Sequence, residues 1–534
     1  MNFAYLFPAM PLPVLSLLLP LGAAMALMFI RVYDIWADKY EKARFKITVN
    51  QRPLKIFFFI LLLLNVLITF SIWKNYQSGG STFYILGSNG WAKTLSGDPA
   101  KKMWTLVQVD AFGAISAVVM GVIAFIAGLR SLADKKNILD QSKVTYYLLT
   151  LCGIQGIFYS NGLLALLIFI CLSQIGASGL FHWADDSYDG LKEWLWYFAS
   201  RMLIVLMFLA GTLILYYKYG ADNITILSTM IKSGPPEKLA YALLVVPLLF
   251  LFIKASAYVT DSASRCFFAI RAQAAFFVIL RIVFSLYGLQ EGLEKIPLLF
   301  TGIGLVSLIA ALIFMAKEND PIKIAESLEL FMKGFMLAAM GISLSGTYSA
   351  QAAAEYGIGA MESMVSLWIL FLPVSAALSF ICCLLKREEC GIELWNTGGL
   401  FRRMPFSGTA LFISVAVIAG LPPFVGFSAK QYLYRSANYI SPFLTLMLFT
   451  CSILLLAKAL FYAASVMFGR SRGAACENQS GLDAKISLPL LILFMILTFA
   501  TVAPGKTFDL LVSPSVHSLM NRGQLINMLQ QEDK

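Results

Sequence analysis

Long apolar runs separated by short polar loops dominate the pattern of this chain. Fourteen of the runs are long enough, or nearly so, to cross a hydrocarbon core of about 30 Å as a helix. Their approximate limits are 10–33, 54–73, 109–130, 145–160, 162–181, 195–217, 239–262, 266–288, 297–316, 329–346, 362–385, 407–430, 440–468 and 485–504. The pattern predicts an all-α polytopic membrane protein, because barrel strands would alternate apolar and polar residues in shorter segments.

Composition agrees with this class. The 534 residues are 59% hydrophobic and 13% charged, whereas a soluble domain is about 25% charged. The net charge of +11 would favour nucleic-acid binding in a soluble protein. Here the basic residues lie mostly in loops, and no basic stripe alternates with aromatic residues, so we expect no nucleic-acid partner.

The orientation of the chain follows from the loops. Lysine and arginine concentrate in the odd-numbered loops, as in residues 39–55, 130–143, 386–403 and 470–485. Because cytoplasmic loops carry the excess of basic residues, we expect these loops to be cytoplasmic and both termini to be non-cytoplasmic. No loop is large enough for a soluble domain, so residues 1–534 form a single membrane domain in this interpretation.

Signals for cofactors are absent from the sequence. The eight cysteines form no CxxC pair, and the two histidines, His182 and His517, are far apart. No GxGxxG or GxxxxGK[ST] string occurs. We therefore expect no cofactor, no metal site and no catalytic centre in this chain.

Basic residues inside apolar runs are the candidates for chemistry. A cation at the centre of a membrane costs about 2.5–3.5 kcal/mol on insertion scales, so such residues face the protein interior, water or a partner. A row of them at membrane depth indicates a route for protons or ions. The residues are Lys254, Arg281, Lys333, Lys430 and Lys458.

The most specific string is AGLPPFVGFSAK, residues 419–430. Pro422 and Pro423 remove backbone donors in the middle of a span, and Gly420 and Gly426 permit an irregular turn. The string predicts a broken helix with Lys430 about one turn beyond the break. From these residues alone, a simple proline kink beside a snorkelling lysine is an equal alternative.

The preceding loop, GGLFRRMP at 398–405, leads into this helix. Together the two strings resemble the antiporter-like membrane subunits shared by respiratory complex I, membrane-bound hydrogenases and Mrp-type sodium/proton antiporters. The similarity is close over 398–430 and weaker over about 105–470. It implies fourteen helices with two inverted five-helix repeats that each contain a broken helix. The implied division is helices one to three in 1–130, repeats in 145–288 and 297–468, and a last helix and tail in 485–534.

The resemblance also implies roles for individual residues. Lys254 matches the family's lysine in the first broken helix, and Lys430 is similar to its counterpart in the second. Arg281 falls near the lysine of the eighth helix. Val109-Asp110 looks like the VDG motif at the start of the third helix, here followed by Ala111.

The chain departs from the family in its first repeat. The fifth helix normally carries a glutamate that pairs with the first broken-helix lysine, but here only Ser173 and Gln174 are polar in its interior. A neighbouring carboxylate favours the protonated form of a buried lysine, so Lys254 has lost that partner. Asp261, about two turns further on, is a possible substitute.

The favoured function is an antiporter-like subunit that moves protons or Na⁺ through these basic residues within a multi-subunit energy-converting complex. The first alternative is a degenerate anchoring subunit with an inactive first half. Others are a membrane partner in inorganic-carbon uptake and a stand-alone transporter of a small solute. The expected partners are other membrane subunits, the lipid bilayer and a redox module whose iron–sulfur clusters lie on other chains. The expected location is a bacterial or archaeal cytoplasmic membrane.

Overall fold

The computed structural model describes part of the chain. The described residues are 12–40, 51–76, 82–85, 105–133, 140–182, 188–232, 237–253, 262–287, 293–318, 321–348, 352–387, 401, 405–422, 424–469 and 508–520. Lys254, Asp261 and Pro423 lie outside these ranges, as do most of the 398–405 loop and the predicted segment 485–504.

The N-terminal half contains nine helices and a hairpin among the described residues. The helices are α1 (Leu12–Tyr40), α2 (Gln51–Tyr76), α3 (Ala111–Ala133), α4 (Gln141–Tyr159), α5 (Leu163–His182), α6 (Tyr188–Tyr219), α7 (Ile224–Lys232), α8 (Lys238–Ile253) and α9 (Ser262–Leu280). A π-helical turn, Arg281–Tyr287, continues α9. Two strands, β1 (Thr82–Ile85) and β2 (Thr105–Val109), pair antiparallel between α2 and α3.

The remaining described elements are also helical. They are α10 (Ile296–Lys317), α11 (Pro321–Tyr348), α12 (Ala352–Arg387), α13 (Pro405–Ala419), α14 (Val425–Ile440), α15 (Pro442–Phe468), a π turn Phe508–Val512 and α16 (Ser513–Met520). Ten helices in the described part are long and apolar enough to cross a membrane. The predicted all-α polytopic membrane class is therefore confirmed.

The chain divides into two compact units. Unit 1 consists of Met1–Phe252, Ile270–Gly288 and His517–Lys534, and unit 2 consists of Ile253–Ala269 and Leu289–Val516. In unit 1, α4 packs between α1 and α5. Asn65 of α2 and Gln155 of α4 exchange amide hydrogen bonds of 3.1 and 2.5 Å in this core. Such reciprocal pairing satisfies polar groups that burial would otherwise destabilise.

The separation of α4 from α5 at Ser160–Gly162 is fixed by the loop after α6. Asn161 donates its side-chain amide to Asn223 at 3.1 Å, and the carboxylate of Asp222 accepts the backbone N–H of Leu164 at 2.7 Å. Asp222 thus supplies an acceptor for the first turn of α5. Burial raises the pKa of the Asp222 carboxyl group above its ordinary value, and this backbone hydrogen bond opposes the rise.

In unit 2, α10, α11 and α12 pack in sequence order, and α12 also packs on α14. The sequence placed Lys333 near the start of a segment at 329–346, but α11 begins at Pro321. Lys333 therefore lies more than three turns inside the helix. The helix begins before the apolar run, since the polar stretch that includes Glu326 and Glu329 is also helical.

Candidate ion-translocation site

The broken helix is formed by α13 and α14, which are separated between Ala419 and Val425. Gly420 adopts φ = +77°, a left-handed conformation that disfavours other residues. Its N–H bonds the carbonyl of Val417 at 3.1 Å, and the N–H of Leu421 bonds the carbonyl of Ala416 at 3.0 Å. These two bonds form a Schellman motif, which ends α13.

Lys430 completes the hydrogen bonding of this helix end. A helix leaves its last four carbonyls without intrahelical donors, and the Schellman motif satisfies only two of the four. The ammonium nitrogen of Lys430 donates to the other two, Ile418 O at 2.8 Å and Ala419 O at 3.1 Å. A cation at a helix C-terminus also interacts favourably with the helix dipole.

Aromatic rings of α11 cover the same amine. The Nζ atom of Lys430 lies 5.4 Å from the ring centre of Phe331 and 4.8 Å from that of Phe335. The residue is only 3% exposed, and within the described part of the chain no carboxylate forms an ion pair with it. Burial opposes the charged form, whereas the carbonyls and π faces favour it. The arrangement can hold a single exchangeable proton in a buried site.

A hydroxyl pair lies one turn beyond Lys430. Tyr434 follows at the i+4 position on the same face of α14, and its hydroxyl donates to Ser452 Oγ of α15 at 2.5 Å. The ring of Phe335 also packs edge-on against Tyr434 at 6.5 Å. Polar groups therefore continue from Lys430 towards α15.

Gly426 allows the two half-helices to approach closely. A Cβ atom at this position would overlap the carbonyl oxygen of Val417, which belongs to the backbone and cannot rotate away. We predict that Gly426→Ala lowers the free energy of unfolding by about 1–3 kcal/mol, the usual cost of overpacking. Chemical unfolding of the purified protein measures this change.

Gly302 provides the matched control for that substitution. It lies within α10 of the same unit, and a Cβ atom there would meet nothing within 4 Å. Since alanine favours a helix interior over glycine by roughly 0.5–1 kcal/mol, Gly302→Ala should leave stability unchanged or raise it. Equal losses for both variants would contradict the proposed steric role of Gly426.

Lys333 lies on another face of α11. It is 2% exposed, and its Nζ atom lies 5.8 Å from the ring centre of Phe371 in α12. Glu329, one turn earlier on the same face, is 6% exposed. Helical geometry places these two residues roughly opposite Phe331 and Phe335. Lys333 and Lys430 are therefore on different sides of α11.

Lys458 is the least enclosed of the described candidates. It lies in α15 with intermediate exposure. No ion pair or hydrogen bond joins it to the described residues, in contrast to Lys430. Its assignment to an ion route remains a prediction from the sequence.

Arg281 forms an ion pair in unit 1. Its Nη2 atom lies 2.6 Å from Oδ2 of Asp110, and both side chains are less than 10% exposed. The other carboxylate oxygen of Asp110 accepts the N–H of Gly113 at 2.8 Å in the first turn of α3. Because an arginine stays protonated in proteins, Arg281 acts as a fixed charge and cannot pass on a proton of its own.

Further buried arginines of unit 1 were not identified from the sequence, and two of them are almost completely enclosed. Arg201 of α6 and Arg271 of α9 are 2% and 4% exposed. Each lies inside an apolar run, which is the signal that could have revealed them. On α5, Ser173 donates its hydroxyl to Ile170 O at 2.8 Å, within its own helix.

No family model matches the chain, but curated relatives do. The chain is 23% identical to an Na⁺/H⁺ antiporter component from Alkalihalophilus pseudofirmus over 72% of this chain and 78% of the relative. It is 23% identical to NADH-quinone oxidoreductase subunit N of Pelobacter propionicus, over 71% and 80%. A longer Na⁺/H⁺ antiporter component from A. pseudofirmus is 22% identical over 62% of this chain, which spans only 42% of that relative.

Solved structures share the fold over nearly the whole chain. A chain of the Mrp complex from a Dietzia species superposes with a TM-score of 0.75 at 16% identity and covers 96% of this chain and 99% of its own. A chain of the membrane-bound sulfane sulfur reductase, an archaeal respiratory membrane complex, gives a TM-score of 0.75 at 17% identity, over 97% and 99%. These findings confirm the resemblance of this chain to the antiporter-like membrane subunits of Mrp antiporters and complex I.

Proposed function

We propose that the chain is an ion-translocating subunit of a multi-subunit membrane complex and that protons move through Lys430 at the break between α13 and α14. The supporting observation is that the Lys430 amine completes the end of α13 while lying in a buried, aromatic-covered site. The similarity to an Na⁺/H⁺ antiporter component supports exchange against Na⁺. The similarity to a quinone oxidoreductase component supports coupling to a redox module on other chains.

In this proposal Lys430 has two protonation states with different contacts. The protonated amine donates to two carbonyls and faces two rings. After losing a proton, the amine has fewer donors and no charge, and its attraction to the helix end and to the rings falls. Proton transfer therefore changes how strongly α14 is held against α13, which can couple the amine to movement at the break.

Lys333, Lys254, Lys458 and Asp261 are further proposed stations on the route. Of these, Lys333 has the strongest structural support, because it is buried beside Glu329 on the same helix face. The same proposal puts both termini on the non-cytoplasmic side of the membrane. It also includes other membrane subunits as the partners of this chain.

A structural first half is the second candidate function. The observation that favours it is the Arg281–Asp110 ion pair, which places a permanently charged group where the family resemblance implies a lysine. In this version unit 2 carries the ion, and unit 1 anchors neighbouring subunits.

The proposal is tested in inverted membrane vesicles that contain the complete complex. A proton gradient is first established by respiration, and NaCl is then added while a fluorescent dye reports the internal pH. We expect Na⁺ to dissipate the gradient, and vesicles from cells lacking this chain to show no such response. If the redox version is correct, the same deletion instead reduces proton uptake during substrate oxidation.

Potassium chloride is the control for osmotic and anion effects, and it should give a smaller response than NaCl. Vesicles that lack this chain but contain the other subunits must show normal amounts of those subunits. Unchanged sodium response and unchanged proton uptake in such vesicles would reject ion translocation through this chain.

A further inference from the structure

Glu362 is a carboxylate inside a membrane-spanning helix of unit 2. It lies nearly two turns within the span Tyr356–Leu378 of α12, and its exposure is intermediate. Within the described part of the chain, no ion pair or hydrogen bond involves this carboxylate. Ionisable residues in membrane spans are costly, and they usually mark a pathway for ions or protons.

The position of Glu362 on α12 is the boundary between the surface of unit 2 and its interior. Ile358, one turn earlier on the same helix face, is 38% exposed. Every residue of α12 from 363 to 378 is buried. Glu362 is therefore the last side chain that reaches the surface before a continuous buried stretch, which is where a group that exchanges protons with the outside must lie.

The start of α12 packs against the end of α14. The ring of Tyr356 stacks on the ring of Tyr439, and a Cβ atom at Gly359 would lie 3.0 Å from Oγ of Ser436. A step of three residues forward in α12 thus matches a step of three residues back in α14. The two helices are antiparallel at this contact, so residues deeper in α12 face residues earlier in α14.

Two serine hydroxyls continue this face of α12 towards Lys430. Ser363 and Ser366 each follow one of the two contact residues by seven positions, which is nearly two helical turns. The same register places Ser366 level with Ala429, the neighbour of Lys430. Ser363 is 0% exposed, and its Oγ atom has no hydrogen-bond partner among the described residues. Ser366 is 2% exposed and donates to the backbone carbonyl of Glu362 at 2.7 Å.

We propose that Glu362 is a further proton-carrying residue, which exchanges protons between Lys430 and the side of the membrane at which α12 begins. The proton leaves the ammonium group of Lys430 and ends on the carboxylate, so that a neutral amine and a neutral carboxyl group remain. Hydroxyl groups donate and accept at the same time, and those of Ser363 and Ser366 lie along the connecting face. The inference rests on the proposed function, because it takes Lys430 as the other proton-carrying group.

Transport in inverted vesicles that contain the complete complex is the first test. Glu362→Gln keeps the shape of the side chain and removes the exchangeable proton. Since a positioned proton carrier contributes roughly 10²–10⁴-fold to a proton-transfer rate, we expect transport per assembled complex to fall by about tenfold or more. Glu362→Asp keeps a carboxyl group that is one methylene shorter, and it should transport faster than the glutamine variant.

Glu318→Gln is the matched control for the glutamine variant. Glu318 follows α10 in the same unit, and its carboxylate pairs with Lys323 at 3.0 Å. It lies beyond the membrane-spanning part of α10, Ile296–Lys317. We expect this variant to transport normally.

Chemical labelling gives a second readout that does not depend on transport. Dicyclohexylcarbodiimide is an apolar reagent that adds to protonated carboxyl groups in membranes, and mass spectrometry of peptides from the purified complex locates the adduct. We expect an adduct on Glu362. Glu329 is the internal comparison, because it lies in another span, Lys323–Gly346, and is 6% exposed. It should be labelled to a much smaller extent.

The possible failures are distinguishable. Normal transport by Glu362→Gln, together with loss of transport in Lys430→Met, would overturn this inference and leave the proposed function intact. Equal ion responses with and without this chain would overturn both. A smaller amount of assembled complex in Glu362→Gln, with normal transport per complex, would assign the carboxylate to contact with a neighbouring subunit instead. Labelling of Glu329 without labelling of Glu362 would contradict the surface position on which the inference depends.

Discussion

Vesicles that contain the Lys430→Met variant should lose ion-coupled proton movement down to the level seen without this chain. Methionine fills a similar volume but has neither a charge nor a proton to exchange. Because Lys430 is 3% exposed and has no carboxylate partner among the described residues, its removal leaves no buried counter-charge. It does leave the carbonyls of Ile418 and Ala419 without the lysine donor, which costs about 1–3 kcal/mol, so the amount of assembled complex is measured alongside transport. We expect transport per assembled complex to fall by at least tenfold, as measured by dye quenching in vesicles.

Two matched variants separate proton transfer from the structural role of Lys430. Lys430→Arg keeps a positive charge and N–H donors near Ile418 and Ala419, but it does not release a proton; we expect it to fold and to transport little. Lys317→Met removes an exposed lysine of the same unit and should transport normally. Full transport by Lys430→Arg would show that charge at the helix end is sufficient and would refute proton transfer by this amine.

The helix break is the part of this site that the sequence specifies locally. Gly420 and Pro422 limit the backbone within a few residues, so a string of twelve residues predicts where α13 stops. The same string does not predict how far the next half-helix extends. The apolar run at 407–430 gave no indication that α14 continues to Ile440, because its residues Gln431 to Tyr439 are mostly polar or aromatic.

The surroundings of Lys430 depend on tertiary packing and could not be inferred in this way. Phe331 and Phe335 are about a hundred residues earlier in the chain, and aromatic residues are too common in this sequence for their pairing with a lysine to be recognised. The use of Lys430 to bond the last two carbonyls of α13 depends on the angle between the half-helices. Likewise, Asp110 was noticed as part of a motif, but its pairing with Arg281 requires the packing of unit 1.

Arg281→Met should lower the free energy of unfolding by about 3–5 kcal/mol, the usual effect of removing one partner from a buried ion pair. The substitution leaves the carboxylate of Asp110 charged and enclosed, with its side chain 3% exposed. The remaining hydrogen bond, from Gly113, satisfies only one carboxylate oxygen. Unfolding in detergent followed by circular dichroism measures the loss.

The double variant Arg281→Met with Asp110→Asn decides whether the loss comes from the unpaired charge. Asparagine keeps an oxygen that can accept the N–H of Gly113, so the start of α3 stays capped, and no buried charge is left. We therefore expect the double variant to be more stable than either single variant and to recover most of the loss. The double-mutant cycle should give a coupling energy of about 2 kcal/mol or more, since both side chains belong to one contact.

Additive losses would contradict this expectation. They would mean that Arg281 stabilises unit 1 by packing against Phe277 and that its ion pair with Asp110 contributes little to the free energy of unfolding. Either result also tests the proposed structural role of the first half of the chain. Only an arginine that is paired with a carboxylate would form a neutral site there. Such a site would not conduct ions at the position where the family resemblance implies a lysine.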